Sequence, residues 1–380
     1  MNLVRRIINK AVMISRGNEE QFKIVNDKSY PWIFISYISD PFFHKNDEKY
    51  IRQHQNMQEV LVMADVFGKL GFNVWVMHYC SRKKIPSIPF SMIFGEGNNF
   101  VRACRKNENA IKVFYGTSAY YKYRNEKIRE MTDSFNRDFS SDLDYMRLVE
   151  DNNAAEMADY ILQIGNQFTI QTYPEDLRSK ITLIEQSTQQ YQYEFRESAK
   201  NKSDFVMIAS YGNILKGIGP VIQYFHKHKD LNLHWLGTVD DGVLEAISPF
   251  LSDNIKIYGY NEMGSVTVKS VFDKCDFLIC ASGVEGGPSG AVLNAMKNGI
   301  IPIVTPCTAP EGIEEYGYLM QSSSCEEVEK AVNWALGLDK YTIEDKKRKS
   351  ADFISENYNL AHYSKAFYEY IRGIINSNGR

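Results

Sequence analysis

The stretch Phe277 to Val304, FLICASGVEGGPSGAVLNAMKNGIIPIV, constrains the fold more than any other part of the chain. Phe277-Leu278-Ile279-Cys280 is an apolar run of strand length. A glycine-rich loop, Gly283 to Gly290, follows and carries one acid, Glu285. Pro288 and Ser289 are helix-start residues, Ala291 to Lys297 is amphipathic, and Gly299 supplies a stop. Ile300 to Val304 then reads as a second buried strand. A crossover of this kind aims backbone N–H groups and the positive end of a helix at an anion. The spacing therefore predicts a phosphate-bearing ligand, with Glu285 touching whatever the phosphate carries.

The rest of the chain repeats the same logic. Trp32 to Ile38 reads as a strand, Asn56 to Leu70 as a helix stopped by Gly71, and Asn73 to His78 as the next strand. Further strands are expected at Phe90 to Phe94, Ala110 to Tyr115, Tyr160 to Ile164 and Ile181 to Ile184. Glu185 to Asp204 is polar, lacks an apolar stripe and reads as a linker. A second series follows: strands at Phe205 to Ala209, Leu231 to Leu236 and Asn254 to Tyr258, with helices at Ile218 to His228 and Gly264 to Lys274. Cys325 to Gly337, Ile343 to Tyr358 and Ala361 to Ile375 are helical by period. Strands alternating with helices predict doubly wound parallel sheets, with ligands beyond the carboxyl ends of the strands.

Those residues carry a resemblance. Glu285-Gly-Gly-Pro, followed by Val-Leu-Asn-Ala-Met and a glycine-terminated helix, resembles the E-x7-E segment of glycosyltransferase family 4. The family comprises retaining enzymes that use nucleotide-diphosphate sugars. The resemblance implies a GT-B fold: two Rossmann-like parallel-sheet domains facing a cleft, with a C-terminal helix returning to the first domain. Residues 1–30 would form a basic N-terminal segment, 31–195 the acceptor domain, 196–360 the donor domain, and 361–380 the returning helix.

The resemblance also assigns roles. Lys216 would contact the donor diphosphate and, with Glu285, form the catalytic pair; Glu285 would orient the sugar. Gly217, Gly286, Gly287, Ser289 and Gly290 would line the donor site, Asn294 would face the ribose and Tyr260 the base. Two residues depart from the family pattern: Asn294 replaces a glutamate and lies nine residues after Glu285 instead of eight, and Tyr211 stands where an arginine is usual. Asp40, His54, Gly116 and Thr117, in loops at strand ends of the first half, are the candidates for acceptor binding. No cofactor or metal is implied beyond the nucleotide sugar. Asp142-Leu143-Asp144 is a D-x-D, read as a solvated acidic turn, and His226 with His228 lacks a third ligand. A non-catalytic nucleotide-sugar-binding protein is the alternative, since two expected polar groups are replaced.

Composition narrows the partners. The 380 residues carry a net charge of −3, which gives no electrostatic case for nucleic acid. The six cysteines show no C-x-x-C and no zinc spacing, which predicts a reducing, cytoplasmic compartment. No apolar run reaches the ~18 residues of a membrane span. Leu3 to Ile14 is interrupted by Arg5, Arg6 and Lys10, with no small-residue cleavage site after it, so it is not read as a secretory signal. Leu3, Ile7, Ala11 and Ile14 share one helical face instead. Residues 1–16 can thus lie peripherally on the inner, anionic face of a membrane or pack on the body of the protein. A glycan or lipid-linked glycan, as in bacterial surface polysaccharide synthesis, is the acceptor class that the resemblance suggests.

Overall fold

The computed structural model describes residues 20–379 apart from 151, 192–194 and 196–201. The basic helix expected over Leu3 to Ile14 lies outside these residues.

The first domain holds seven strands: β1 (Gln21–Ile24), β2 (Trp32–Tyr37), β3 (Asn73–His78), β4 (Phe90–Gly95), β5 (Ile111–Gly116), β6 (Tyr160–Ile164) and β7 (Ile181–Ile184). Their order is β1-β3-β2-β4-β5-β6-β7. β1 runs antiparallel to β3, and all other pairings are parallel. The second domain holds β8 (Asp204–Ile208), β9 (Asn232–Leu236), β10 (Ile255–Ile257), β11 (Phe277–Cys280), β12 (Ile301–Val304) and β13 (Tyr318–Leu319). These form an all-parallel sheet, β10-β9-β8-β11-β12-β13. Every residue of β11 and β12 is buried, as a sheet covered by helices on both faces requires. This is the GT-B architecture that the resemblance implies.

Strand order reverses between β2 and β4 in the first sheet and between β8 and β11 in the second. Loops leaving neighbouring strands at such a point diverge to opposite faces and open a crevice. The two crevices face each other.

The last helix, Leu360–Ser377, begins at the Asn359 cap, whose side chain accepts the His362 N–H at 2.8 Å. Tyr363, Phe367, Ile371 and Ile374 form its apolar stripe, and all four enter the core of the first domain. The Phe367 ring lies 5.5 Å from Phe67 and 5.4 Å from Phe94, both edge-on. Tyr363 Oη is 3.1 Å from Tyr115 Oη. The helix before it, Lys340–Asn357, is tied to the second domain by an ion pair with both partners about 1% exposed, Lys347 Nζ to Asp276 Oδ1 at 2.7 Å.

The polar stretch after β7 is built into a seam between the domains. Gln186, Ser187 and Thr188 are buried. Ser187 donates its N–H (2.6 Å) and Oγ–H (2.9 Å) to Glu59 Oε1, and Gln58 Nε2 donates to Ser187 Oγ and Thr188 O, both at 2.9 Å. On the other side Gln186 Nε2 donates to Pro288 O, while Thr188 donates its N–H to Tyr358 O at 2.7 Å.

Candidate active site

Two loops of the second domain, 209–217 after β8 and 281–289 after β11, meet at its switch point. The first is held by Asp240, whose Oδ2 accepts the N–H groups of Gly212 and Asn213 at 2.8 Å. Leu215 O then accepts both Ser282 Oγ–H (2.8 Å) and the Gly283 N–H (3.0 Å), stitching one loop to the other. Gly217 has φ +75°, and a Cβ there would fall 1.9 Å from Ala281 O. Only glycine allows this crossing, and the crossing sets Lys216 over the second loop. Lys216 Nζ bonds directly to Glu285 Oε1, with the two side chains 20% and 16% exposed. Ser289 caps the helix Gly290–Lys297 by accepting the Val292 N–H.

The glycine loop also seats against the first domain. A Cβ at Gly286 would lie 2.5 Å from Ser118 Cα, and one at Gly287, where φ is +122°, 2.3 Å from Gly165 Cα. The expected phosphate cradle is thus a domain contact as well, which explains why it tolerates no side chains there.

Two cavities flank this contact and share Glu285, Glu96, Thr117, Tyr79 and Arg147 on their walls. One, of about 650 Å³, runs towards β9 and β10 past Lys216, Tyr211, Tyr260 and Asn294. The other, of about 1000 Å³, opens into the first domain along residues 116–121. Glu285 stands where they join.

The sequence-derived candidates are distributed unevenly over this space. Glu285, Lys216, Gly286, Gly287, Ser289, Gly290, Asn294, Tyr260 and His54 line the smaller cavity, and Tyr260 is 59% exposed. Thr117 lines both, and Gly116 the larger. Asp40 lines neither: it is buried 3.5 Å from His78 Nε2, in the turn Asp40–Phe42 after β2. His54 caps the helix Gln55–Lys69, its Nδ1 2.8 Å from Asn56 Oδ1. Asn294 is buried, and its amide is paired with Gln189, accepting the Gln189 N–H at 3.1 Å and donating to Gln189 Oε1 at 3.2 Å.

Three wall residues escaped the sequence reading: Glu96, Arg124 and Arg147. Glu96 sits between Gly95 and Gly97 at the carboxyl end of β4 and accepts Thr117 Oγ1–H at 2.9 Å. A lone acid between glycines after a strand was its available signal. Arg147, at φ +65°, reaches across to donate to Tyr211 O at 3.2 Å, with its guanidinium 5.7 Å from the Tyr211 ring. It brings a cation to the place where the second-domain sequence has tyrosine.

Burial alone would raise the Glu285 carboxyl, but Lys216, with Arg147 and Arg124 behind it, outweighs burial and holds it below the usual range. Among the described residues no cation is bonded to Glu96 or Glu59, although the Arg124 charge acts on Glu96. Burial lifts Glu96 to about 7 against the Thr117 hydrogen bond, and lifts Glu59 to about 7 against those from Ser187.

A carboxyl raised on folding binds its proton more tightly folded than unfolded. The stability it contributes is then present at low pH and lost as pH rises through about 7. Glu59→Gln should therefore gain on the parent as pH goes from about 5 to about 8, by on the order of 1–3 kcal/mol. Urea midpoints of the two proteins at each pH measure this. A difference that stays constant with pH would mean that Glu59 is ionised throughout.

Residues 204–337 match the family model described as Glycosyl transferases group 1. The second domain belongs to that family. No curated protein sequence matches the chain. Among solved structures, sucrose-phosphate synthase from Thermosynechococcus elongatus aligns with a TM-score of 0.62 at 11% identity, over 92% of this chain and 100% of its own. Anabaena HepE in complex with UDP gives 0.54 at 10%, over 91% and 100%. TarM from S. aureus, in a complex that includes UDP, gives 0.52 at 12%, covering 75% of this chain but 55% of its own, so the chain spans about half of that protein. At such identities the likeness is one of fold, and it extends the group 1 domain's architecture to the first sheet. Among the described residues no helix is long and apolar enough to cross a membrane, and no cluster of three or more His, Cys, Asp or Glu is placed to hold a metal.

Proposed function

We propose that the protein transfers a sugar from a nucleotide diphosphate to an acceptor hydroxyl, with retention at the anomeric carbon. The observation that carries this is the Lys216–Glu285 pair, held by two stitched loops at the junction of the two cavities. The smaller cavity suits the donor: its diphosphate would lie against Lys216 and Arg147, its base near Tyr260, and its sugar beside Glu285. The anomeric carbon–oxygen bond to the diphosphate breaks, and its electron pair stays on the phosphate oxygen. Positive charge fixed beforehand at that oxygen favours this step. The acceptor oxygen bonds to the same carbon from the larger cavity, and its proton leaves with the diphosphate. Glu285, kept ionised by Lys216, stabilises the positive charge that develops on the sugar.

The HepE and TarM structures with UDP support a nucleotide-sugar donor. A glycan or lipid-linked acceptor, a hexosyl donor, a cytoplasmic site of action and contact of residues 1–16 with the membrane belong to the same proposal. A second reading, a binding protein without turnover, rests on Tyr211 and Asn294 standing where the resembling family has an arginine and a glutamate. Nucleotide release from a panel of nucleotide sugars, with an acceptor extract, separates the two. Release is expected, and it should survive EDTA, because lysine, arginine and backbone N–H groups supply the positive charge. No release with any donor would support the binding protein, and loss in EDTA restored by magnesium would overturn the metal-free mechanism.

A further inference from the structure

The larger cavity has a buried cation set into its wall. Arg124, in the first turn of the helix Tyr121–Phe139, is 7% exposed and lines that cavity. Its Nη1 donates to Ser118 Oγ at 2.6 Å, and its Nε has no hydrogen-bond partner. Among the described residues no carboxylate lies within ion-pair distance of it. A buried guanidinium in this condition is costly unless an anion joins it.

The surroundings reinforce the deficit. The N-cap residue, Tyr120, gives the helix no side-chain cap, and residues 116–121 at that helix end line the cavity. Burial, and Arg147 on the same wall, work against the charge on Arg124, while Glu285 and Glu96 support it from beyond contact distance. The described acids there are engaged by other groups: Glu285 is bonded to Lys216, Glu96 accepts from Thr117, and Glu150 is exposed and bonded to Asn98. A helix start, a buried guanidinium and a second arginine converge on one space.

We infer that the larger cavity binds an acceptor that carries a phosphate, with that phosphate on Arg124 and the start of the helix Tyr121–Phe139 and the acceptor hydroxyl towards Glu285. This rests on the glycosyl-transfer reading for the word acceptor, but the phosphate site is testable without turnover. The same chemistry could come from a free or polymer-borne sugar phosphate or from a lipid headgroup.

Calorimetry with glycerol 3-phosphate and with glycerol, on the whole chain, is the test. The parent should prefer the phosphate by about tenfold or more. Arg124→Gln should lose that preference and Lys216→Ala should keep it. Preference retained in Arg124→Gln, or lost only in Lys216→Ala, would overturn the assignment. Should Arg124→Gln not fold, Arg124→Lys replaces it; an intermediate preference supports the site, and parental binding refutes a role for the guanidinium. Vesicles distinguish the sources. Capture on phosphatidylglycerol but not phosphatidylcholine, lost in Arg124→Gln, assigns the phosphate to a lipid, whereas glycerol phosphate binding without capture assigns it to a soluble or polymeric acceptor. Absence of nucleotide release would defeat the transfer reading and leave these binding results standing.

Discussion

Replacing Glu285 by glutamine is expected to lower turnover about 100- to 1000-fold, the usual cost of removing one preorganised electrostatic contact at a reacting centre. The loss should appear in kcat and kcat/KM together, because the carboxylate acts while the bond to the leaving diphosphate breaks. Affinity for the free nucleoside diphosphate should stay the same or rise. Glu285 is bonded to Lys216 in the empty cleft, and an uncharged amide leaves more of the lysine's charge for the phosphates. Nucleotide release and calorimetry on the same two proteins measure both effects. A variant that turns over like the parent would remove Glu285 from the chemistry.

The second large effect concerns the fold. Lys347→Met should destabilise the protein by about 3–5 kcal/mol, because it leaves Asp276 buried beside a thioether. Asp276 lies one residue before β11, the strand that leads to Glu285, and Lys347 holds it from the helix Lys340–Asn357 at 2.7 Å. The double variant Lys347→Met, Asp276→Ala should recover part of the loss, since it removes the buried charge and leaves only a small cavity. Urea denaturation of the three proteins is the measurement. A single variant as stable as the parent would mean that Asp276 finds other compensation.

The architecture was legible because its signals are local. Apolar runs such as Phe277-Leu278-Ile279-Cys280 and Trp32 to Ile38, alternating with amphipathic helices, point to strands buried on both faces of a covered parallel sheet, and glycines such as Gly71 and Gly299 mark where helices stop. The resemblance implied that the last helix returns to the first domain, where Phe367 meets Phe67 and Phe94. Glu285 stood out as the lone acid of a glycine-rich loop and Lys216 through the resemblance, and the structure brings the two side chains together.

The first-domain wall was not legible, because its geometry is tertiary. Asp40 looked available after a strand, yet the turn that follows buries it against His78. Arg147 lies in an irregular segment, and nothing local announces that it spans the cleft to Tyr211. Arg124 left a faint trace. It falls on the buried stripe of its helix with Ile128, Thr132, Phe135 and Phe139, a position where arginine is out of place unless something pairs with it. Gln186 to Thr188 read as a tether because polar residues without a period do so, and their burial depends on Glu59 and Gln58 of a helix more than 100 residues away.

The central claim, that the Lys216–Glu285 junction receives the diphosphate of a nucleotide sugar, is tested most directly by titrating UDP into the parent and into Lys216→Ala by calorimetry, with melting curves to confirm that both are folded. Lys216→Ala removes one charge-assisted contact of roughly 1.5–3 kcal/mol and leaves Glu285 facing the phosphates, so affinity should fall about tenfold or more. Equal affinity in the two folded proteins would place the diphosphate elsewhere and contradict the assignment.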